Sequence, residues 1–343
     1  MKAIVDDKIP YIRPFIQNLV DEVLFLPGAK ITAEDVRDAD ILIVRTRTLC
    51  NRSLLEGSRV RFIATATIGY DHLDTGYLEQ AGIKWTNCPG CNASSVGQYI
   101  HSAMLVLKRE MGLDFQHTTV GIVGVGHVGT DVHRKLASLG INCLLCDPPR
   151  AEKEGNADGR FHSLQELKER CQVITFHTPL VTEGPWPTFH LADATFFDGL
   201  RQCPVIINTS RGEVVDNLAL LDALEKGLVR QTIIDTWEGE PRINLSLLEK
   251  AFIGTPHIAG YSADGKANAT QMVLTALCEW MGVPANFHVA PPSLPDTFTA
   301  AADSEELALQ LYDPREDSSR LKACPDDFER LRNDYPLRRE SVH

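Results

Sequence analysis

No stretch of this 343-residue chain is long and apolar enough to span a bilayer. The most apolar candidate, near residues 103–107, is cut by Gln98 and His101 before it and by Lys108 after it. Asp6 and Asp7 come early, so the form of a signal peptide is missing too. These absences predict a cytoplasmic protein with no membrane partner. An excess of basic residues is also lacking: 34 Lys and Arg stand against 46 Asp and Glu, a formal net charge of -12. General nucleic-acid binding needs a basic face and is excluded. A small anionic substrate is not, because a few local arginines outweigh a mildly acidic whole. Internal repeats and low-complexity tracts are absent as well. What remains is an ordinary globular composition, 43% hydrophobic and 23% charged, over a length that suggests two or three domains.

The cysteines, nine in all, are odd in number and scattered. In the cytosol the default is reduced, mostly buried thiols. Two CxxC patterns occur, Cys88…Cys91 and Cys143…Cys146, and paired CxxC units can hold zinc. Asn142–Cys146 reads as a strand, however, where an offset of three puts two side chains on opposite faces. They cannot chelate one ion without breaking that strand, so no metal site is expected.

Short apolar runs alternate with helical patterns. Residues 2–6, Ile41–Val44 and residues 62–64 read as strands, and Ile12, Phe15, Ile16 and Leu19 recur at helical spacing. Such alternation predicts parallel sheets, which bind ligands beyond the carboxyl ends of their strands. Arg45 and Thr67 stand at those ends. Val96, Tyr99, Ile100, Ala103, Met104 and Leu107 then form the stripe of one long helix.

Thr119–Val123 reads as a strand running into Gly124-Val125-Gly126-His127-Val128-Gly129. Val132, Leu136 and Leu139 follow at helical spacing, and a second strand, Asn142–Cys146, ends at Asp147. Strand, glycines, helix and acid in this register make a dinucleotide fingerprint. The first glycine permits the tight turn, the second lets a pyrophosphate approach, and the third lets helix pack on strand. The helix N-terminus offers N–H groups to the phosphates. Asp147 suits both ribose hydroxyls and repels a 2′-phosphate, which favours NAD over NADP. Arg150 follows closely, and its charge leaves NADP open. Further strands, Val173–Phe176, residues 205–207 and residues 232–234, precede His177-Thr178-Pro179, Asn208 and Asp235. Pro291, Pro292 and Pro295 mark a linker to a charged end of weak periodicity.

Oxidising an alcohol with NAD needs a base for the hydroxyl proton and a cation for the substrate acid. His257 is the candidate base. Glu240 is a carboxylate to fix its tautomer, and Arg211 is a planar fork that suits a carboxylate. Their spacing alone does not single them out.

Ser210-Arg211-Gly212 with Val214-Val215-Asp216, Asp235-Thr-Trp-Glu-Gly-Glu240-Pro241 and Thr255-Pro-His257-Ile-Ala-Gly260 resemble the signature of the D-isomer-specific 2-hydroxyacid dehydrogenases. In that family the residues matching Arg211, Glu240 and His257 are catalytic, and the one matching Asp235 contacts the nicotinamide. Cys88-Pro-Gly-Cys-Asn92, Cys146-Asp-Pro-Pro-Arg150, Thr175-Phe-His-Thr-Pro-Leu180 and His257-Ile-Ala-Gly-Tyr261 narrow the resemblance to members acting on a phosphorylated 2-hydroxy acid. By that likeness Thr46, Thr67 and Tyr261 contact substrate beside Arg45. His127, Val128, Thr178 and Gly260 join Gly124, Gly126, Gly129 and Asp147 around NAD.

The fold implied is α/β. A Rossmann-type doubly wound parallel sheet occupies residues 94–284. A flavodoxin-like substrate, or lid, domain occupies residues 1–93. A small C-terminal dimerisation region, shorter than in relatives, occupies residues 285–343, and the partner implied is a second copy in a homodimer. Gln98 stands where relatives carry an acidic residue, and Tyr70 replaces a smaller one. Two other functions stay open. One is a dehydrogenase of 3-phosphoglycerate or another 2-hydroxy acid. The other is a non-catalytic NAD(H)-sensing protein, since fold does not fix function.

Overall fold

Runs of Ile, Val, Leu and Ala build the middle of the first sheet. β1 (Lys2–Asp6), β2 (Glu22–Leu26), β3 (Ile41–Val44), β4 (Phe62–Thr65) and β5 (Lys84–Thr86) pair in parallel in the order β2-β1-β3-β4-β5. Every residue of β3 and β4 is buried, as befits central strands covered on both faces. One face packs Ala3, Val5, Ile41 and Ile43 against Val273, Leu274 and Leu277 of the Ala263–Met281 helix. The other packs Ile4, Leu42, Val44 and Ile63 under Leu54, Leu55 and Leu78. The strand order is the flavodoxin-like one expected. β2 and β5 had no clear sequence signal, because both are edge strands with half-exposed, mixed residues.

The computed structural model describes residues 1–342. By contact the chain forms two compact units. The first joins Met1–Asn92 to Ser262–Leu294, and the second joins Ala93–Tyr261 to the chain from Pro295 onward. This differs from the expected division at residue 284. The buried stripe of the Ala263–Met281 helix belongs to the core of the first sheet, so residues 262–294 go with the first unit.

In the second unit β6 (Thr119–Val123), β7 (Asn142–Cys146), β8 (Val173–Phe176), β9 (Val205–Asn208), β10 (Gln231–Ile234) and β11 (Ile253–Gly254) make one parallel sheet, ordered β11-β10-β9-β8-β6-β7. A lone parallel bridge from Leu145 to Phe161 extends it beyond β7. The chain reverses its direction of travel between β6 and β8, which is where a doubly wound sheet opens a crevice. Val96, Tyr99, Ile100 and Met104 of the Ala93–Met111 helix share one core with Val132 and Leu136 of the His127–Ser138 helix.

The region after Pro295 packs onto this same unit. Leu309 and Tyr312 join one core cluster, and Leu321 and Phe328 the other. Its helices, Ser304–Leu311, Pro314–Ala323 and Phe328–Asn333, bury few apolar residues each. That sparse burial is why their periodicity is weak. Among the described residues no helix is long and apolar enough to cross a membrane.

Candidate active site

β9, β10 and β11 are neighbours in the sheet, so the loops leaving their carboxyl ends gather on one edge. Those loops carry Arg211, Glu240 and His257. Nδ1 of His257 lies 2.8 Å from Oε2 of Glu240. A carboxylate only accepts, so Nδ1 is the donor, and in the neutral ring Nε2 keeps its lone pair. The other carboxylate oxygen of Glu240 accepts from the backbone N–H of Trp237 at 2.9 Å. Both side chains stay partly exposed.

His257 has φ +58°, a left-handed backbone that costs a non-glycine residue on the order of 1–3 kcal/mol. Asp235 supports it. Its Oδ1 accepts from the N–H of Ile258 and the hydroxyl of Thr255, both at 2.7 Å, and its Oδ2 from the N–H of Ala259 at 2.9 Å. The backbone carbonyl of Asp235 takes the N–H of His257 at 2.8 Å. Burial pushes the Asp235 carboxyl up, against the pull of His257, the Thr255 hydroxyl and the two N–H groups. Asp235 is 1% exposed, so the residue matched to a nicotinamide contact is first of all the seat of the histidine loop.

Arg211 precedes the turn at Gly212–Val214 and keeps an exposed side chain, with Nη1 donating to the carbonyl of Ser210 at 2.8 Å. Asn208, at the end of β9, sets that turn: its Oδ1 accepts from the N–H and hydroxyl of Ser210, and its Nδ2 donates to the carbonyl of Arg211. A Cβ at Gly212 would stand 2.0 Å from the carbonyl oxygen of Trp237, so only glycine lets the two loops pass.

Some site residues gave no signal in the sequence. Arg332, in the Phe328–Asn333 helix, places Nη1 3.7 Å from Oε2 of Glu240 and also bonds Tyr261. His190 puts Nε2 2.6 Å from Oε1 of Glu238, while Oε2 of that carboxylate accepts from the N–H of Asn217 at 2.8 Å. Glu238 thereby ties the Glu240 loop to the segment just after Arg211. Asp216 faces the other ring nitrogen of His190 at 3.6 Å. Two carboxylates on opposite ring nitrogens make a brace between loops.

The glycine turn leaves β6 at the crevice. A Cβ at Gly124 would lie 2.7 Å from the carbonyl oxygen of His177, and one at Gly129 2.0 Å from that of Gly124, whereas Gly126 has nothing within 4 Å. Gly126 and His127 are exposed at the start of the following helix and Val128 is half-buried, which leaves the approach to its N–H groups open. Oδ2 of Asp147 accepts from the N–H of Val125 at 2.7 Å, and Oδ1 from that of Arg150 at 3.1 Å. Each oxygen keeps a further acceptor site for a ribose. Arg150 is held in a fork by Glu154, at 2.7 and 3.0 Å, and Arg150 with Arg160 keeps the Glu154 carboxyl down at about 2. One carboxylate is thereby shared by two guanidinium groups.

Across the crevice, Oγ1 of Thr178 is buried and has no partner among the described residues. Such a hydroxyl costs about 1–3 kcal/mol unless something else bonds it. His177 bonds Thr175 through Nε2 at 2.9 Å and Thr209 through Nδ1 at 3.2 Å. Desolvation pushes its ring down to about 3, although the residue keeps some exposed surface. The residues present fit NAD.

Within the first unit, Arg45 directs Nε and Nη2 to the two oxygens of fully buried Asp6, at 3.1 and 3.3 Å. The cation expected to meet a phosphate is thus already balanced. Thr46 is exposed in the turn after β3. Thr67 donates its hydroxyl to the carbonyl of Gly69 at 2.8 Å, and Asn87 braces the same loop through the carbonyl of Ile68 at 2.7 Å. Tyr70 leans on Trp85 with ring centroids 5.0 Å apart.

A glycine turn fitted to NAD, followed along the same sheet by a histidine–carboxylate pair and an arginine, defines a dehydrogenase site. The family profile "D-isomer specific 2-hydroxyacid dehydrogenase, NAD binding domain" matches residues 96–259. The chain is 54% identical over 340 residues to the erythronate-4-phosphate dehydrogenase of Bacteroides fragilis, covering 99% of this chain and 97% of that one. The erythronate-4-phosphate dehydrogenase of Edwardsiella ictaluri is 45% identical, over 99% and 93%. Among solved structures, D-2-hydroxyisocaproate dehydrogenase superposes with a TM-score of 0.71 at 21% identity, over 83% of this chain and 98% of that one. The chain belongs to the D-isomer specific 2-hydroxyacid dehydrogenases, and within them to the erythronate-4-phosphate dehydrogenase family.

Proposed function

We propose that this enzyme oxidises 4-phospho-D-erythronate to 2-oxo-3-hydroxy-4-phosphobutanoate with NAD, in the biosynthesis of pyridoxal 5′-phosphate. The observation that carries the chemistry is the 2.8 Å contact between His257 and Glu240 on the strand edge that also bears Arg211. The substrate follows from 54% identity to relatives of that name.

Bound NAD supplies the hydride acceptor. Gly124, Gly126, His127, Val128 and Gly129 would receive its pyrophosphate, Asp147 its ribose and Asp235 its nicotinamide, with Thr178 and Gly260 as further contacts. Nε2 of His257 takes the proton of the C2 hydroxyl. Glu240, hydrogen-bonded to Nδ1, stabilises the imidazolium that results. Arg211 holds the carboxylate and polarises the reacting carbon–oxygen bond. Within the first unit the proposed substrate contacts are Thr46, Thr67 and Arg45, which Asp6 backs. Within the second unit Tyr261 is a further one. The enzyme works as a cytoplasmic homodimer.

The test is turnover of 4-phospho-D-erythronate beside 3-phosphoglycerate and D-lactate, with Arg211→Ala as control. Turnover favouring the four-carbon phosphate and lost in the control supports the reading. Turnover of another acid alone keeps the mechanism and removes the substrate. NADH binding without any turnover points to a sensor.

A further inference from the structure

Asp235, just beyond β10, accepts the N–H groups of Ile258 and Ala259. The carbonyls of the same short segment go to one guanidinium. Nη1 of Arg338 donates to the carbonyl of Ile258 at 3.1 Å and to that of Tyr261 at 2.7 Å, and Nη2 donates to that of Ala259 at 2.7 Å. Nη2 also reaches the carbonyl of Ser95 at 3.2 Å, Nη1 the hydroxyl of Tyr335 at 3.2 Å, and Nε the Oε1 of Gln98 at 2.9 Å. The guanidinium lies 3.9 Å over the ring of Tyr312.

Arg338 is 8% exposed. A buried charge costs several kcal/mol unless its surroundings repay it. Among the described residues no carboxylate hydrogen-bonds this guanidinium: Asp317 is reached through Tyr335, whose hydroxyl donates to Oδ2 at 3.1 Å. The charge is spent on backbone carbonyls, where charge-assisted bonds are stronger than neutral ones. Gln98, at a position where the resemblance implies an acidic residue, fits this use. A neutral acceptor holds Nε without cancelling the charge, and its Nε2 donates to the carbonyl of Arg339 at 2.9 Å. The hydroxyl of Ser95 adds a bond to Glu340 at 2.7 Å. The segment 338–340 is thereby docked along the start of the Ala93–Met111 helix.

We infer that Arg338, oriented by Gln98, is a positioning residue for His257: with Asp235 it clamps the backbone of residues 258–261 and so keeps the left-handed turn that aims the imidazole. It touches no reacting atom. It acts through the loop, and the inference rests on His257 being the base proposed above.

The experiment uses the full chain with Arg338→Ala, Arg338→Lys and Gln98→Leu. Hydrogen exchange at Ile258 and Ala259 is followed with no ligand present, and steady-state rates and NADH affinity are measured alongside. In Arg338→Ala exchange at those two amides should accelerate at least tenfold. A misplacement of about 1 Å costs roughly 10²-fold in rate, and kcat should fall by that order while KM changes little. Millimolar guanidinium should restore part of the lost kcat, and Arg338→Lys should retain more than the alanine variant. Gln98→Leu should lose a smaller share of kcat, and it decides the matter if Arg338→Ala does not fold. Faster exchange with kcat intact would reduce Arg338 to a stabilising contact and overturn the inference. So would unchanged exchange in a folded Arg338→Ala or Gln98→Leu protein. If the unaltered chain turns over no 2-hydroxy acid, the functional reading fails separately, and the exchange rates still report whether Arg338 holds the loop.

Discussion

Nδ1 of His257 faces Oε2 of Glu240 at 2.8 Å across two loops, and the same carboxylate is pinned by the N–H of Trp237. The pair is thus oriented before any substrate arrives. Glu240→Gln keeps the shape but loses the charge that stabilises the imidazolium. Loss of a general base costs about 10²–10⁴-fold, so His257→Asn should fall in that range and Glu240→Gln near its lower end. NADH affinity, read by fluorescence, should hold in both variants. A rate loss explained by weaker NADH binding would contradict these roles.

Arg332 places a cation 3.7 Å from the same carboxylate. Partly exposed pairs contribute about 0–1 kcal/mol, or up to about fivefold in a rate. Arg332→Met should therefore lower kcat by no more than about fivefold, through a less firmly held Glu240. A loss as large as that of the His257 variant would give Arg332 a larger part than this contact.

Arg150 pairs with Glu154, and Asp147 accepts from the N–H of Val125, with the ribose contact proposed for it above. Asp147→Ser should lower kcat/KM for NAD by about tenfold, near 1.4 kcal/mol. Adding Glu154→Gln should release Arg150 and raise use of NADP. The ratio of kcat/KM for the two cofactors measures this. NADP use already high in the unaltered enzyme would refute the ribose assignment.

Gly212 passes beneath the carbonyl of Trp237 with no room for a Cβ. Gly212→Ala should destabilise by about 3 kcal/mol, the upper end for overpacking, since the obstacle is backbone. It should also lower kcat, because Arg211 is the neighbouring residue. Denaturant unfolding gives the first quantity. A loss under about 0.5 kcal/mol, the usual scale of surface changes, would mean the loops move apart freely.

Desolvation holds the His177 ring down to about 3, against an unfolded value of 6.5. A depressed histidine contributes stability above its unfolded pKa and loses it as pH falls towards the folded one. Stability should therefore drop between pH 6.5 and about pH 3, by up to about 1.4 kcal/mol per unit. His177→Asn should flatten that part of the curve relative to the unaltered chain. An unchanged slope would assign the acid loss to other groups.

The central strands, the glycine turn and Asp147 were legible in the sequence because each is a local pattern. β3, β4 and β6 are runs of apolar residues, and the turn needs its glycines at adjacent positions. Asp235, Glu240 and His257 were legible only through resemblance, since their spacing along the chain says nothing of the 2.8 Å between two of them. β2 and β5 were hidden by mixed edge positions, and the helices after Pro295 by how little apolar surface each buries.

The chain alone therefore determined the parallel α/β class and a dinucleotide turn with an acid suited to NAD, and resemblance added the candidates for acid–base chemistry. Tertiary structure decided which of those residues are spent on one another. Arg45 is matched by Asp6, Arg150 by Glu154, and Asp235 and Arg338 by the backbone on which His257 sits. Charge pairing and backbone bonding act across space between residues far apart in sequence. A local pattern cannot encode them, and the folded sheet edge can.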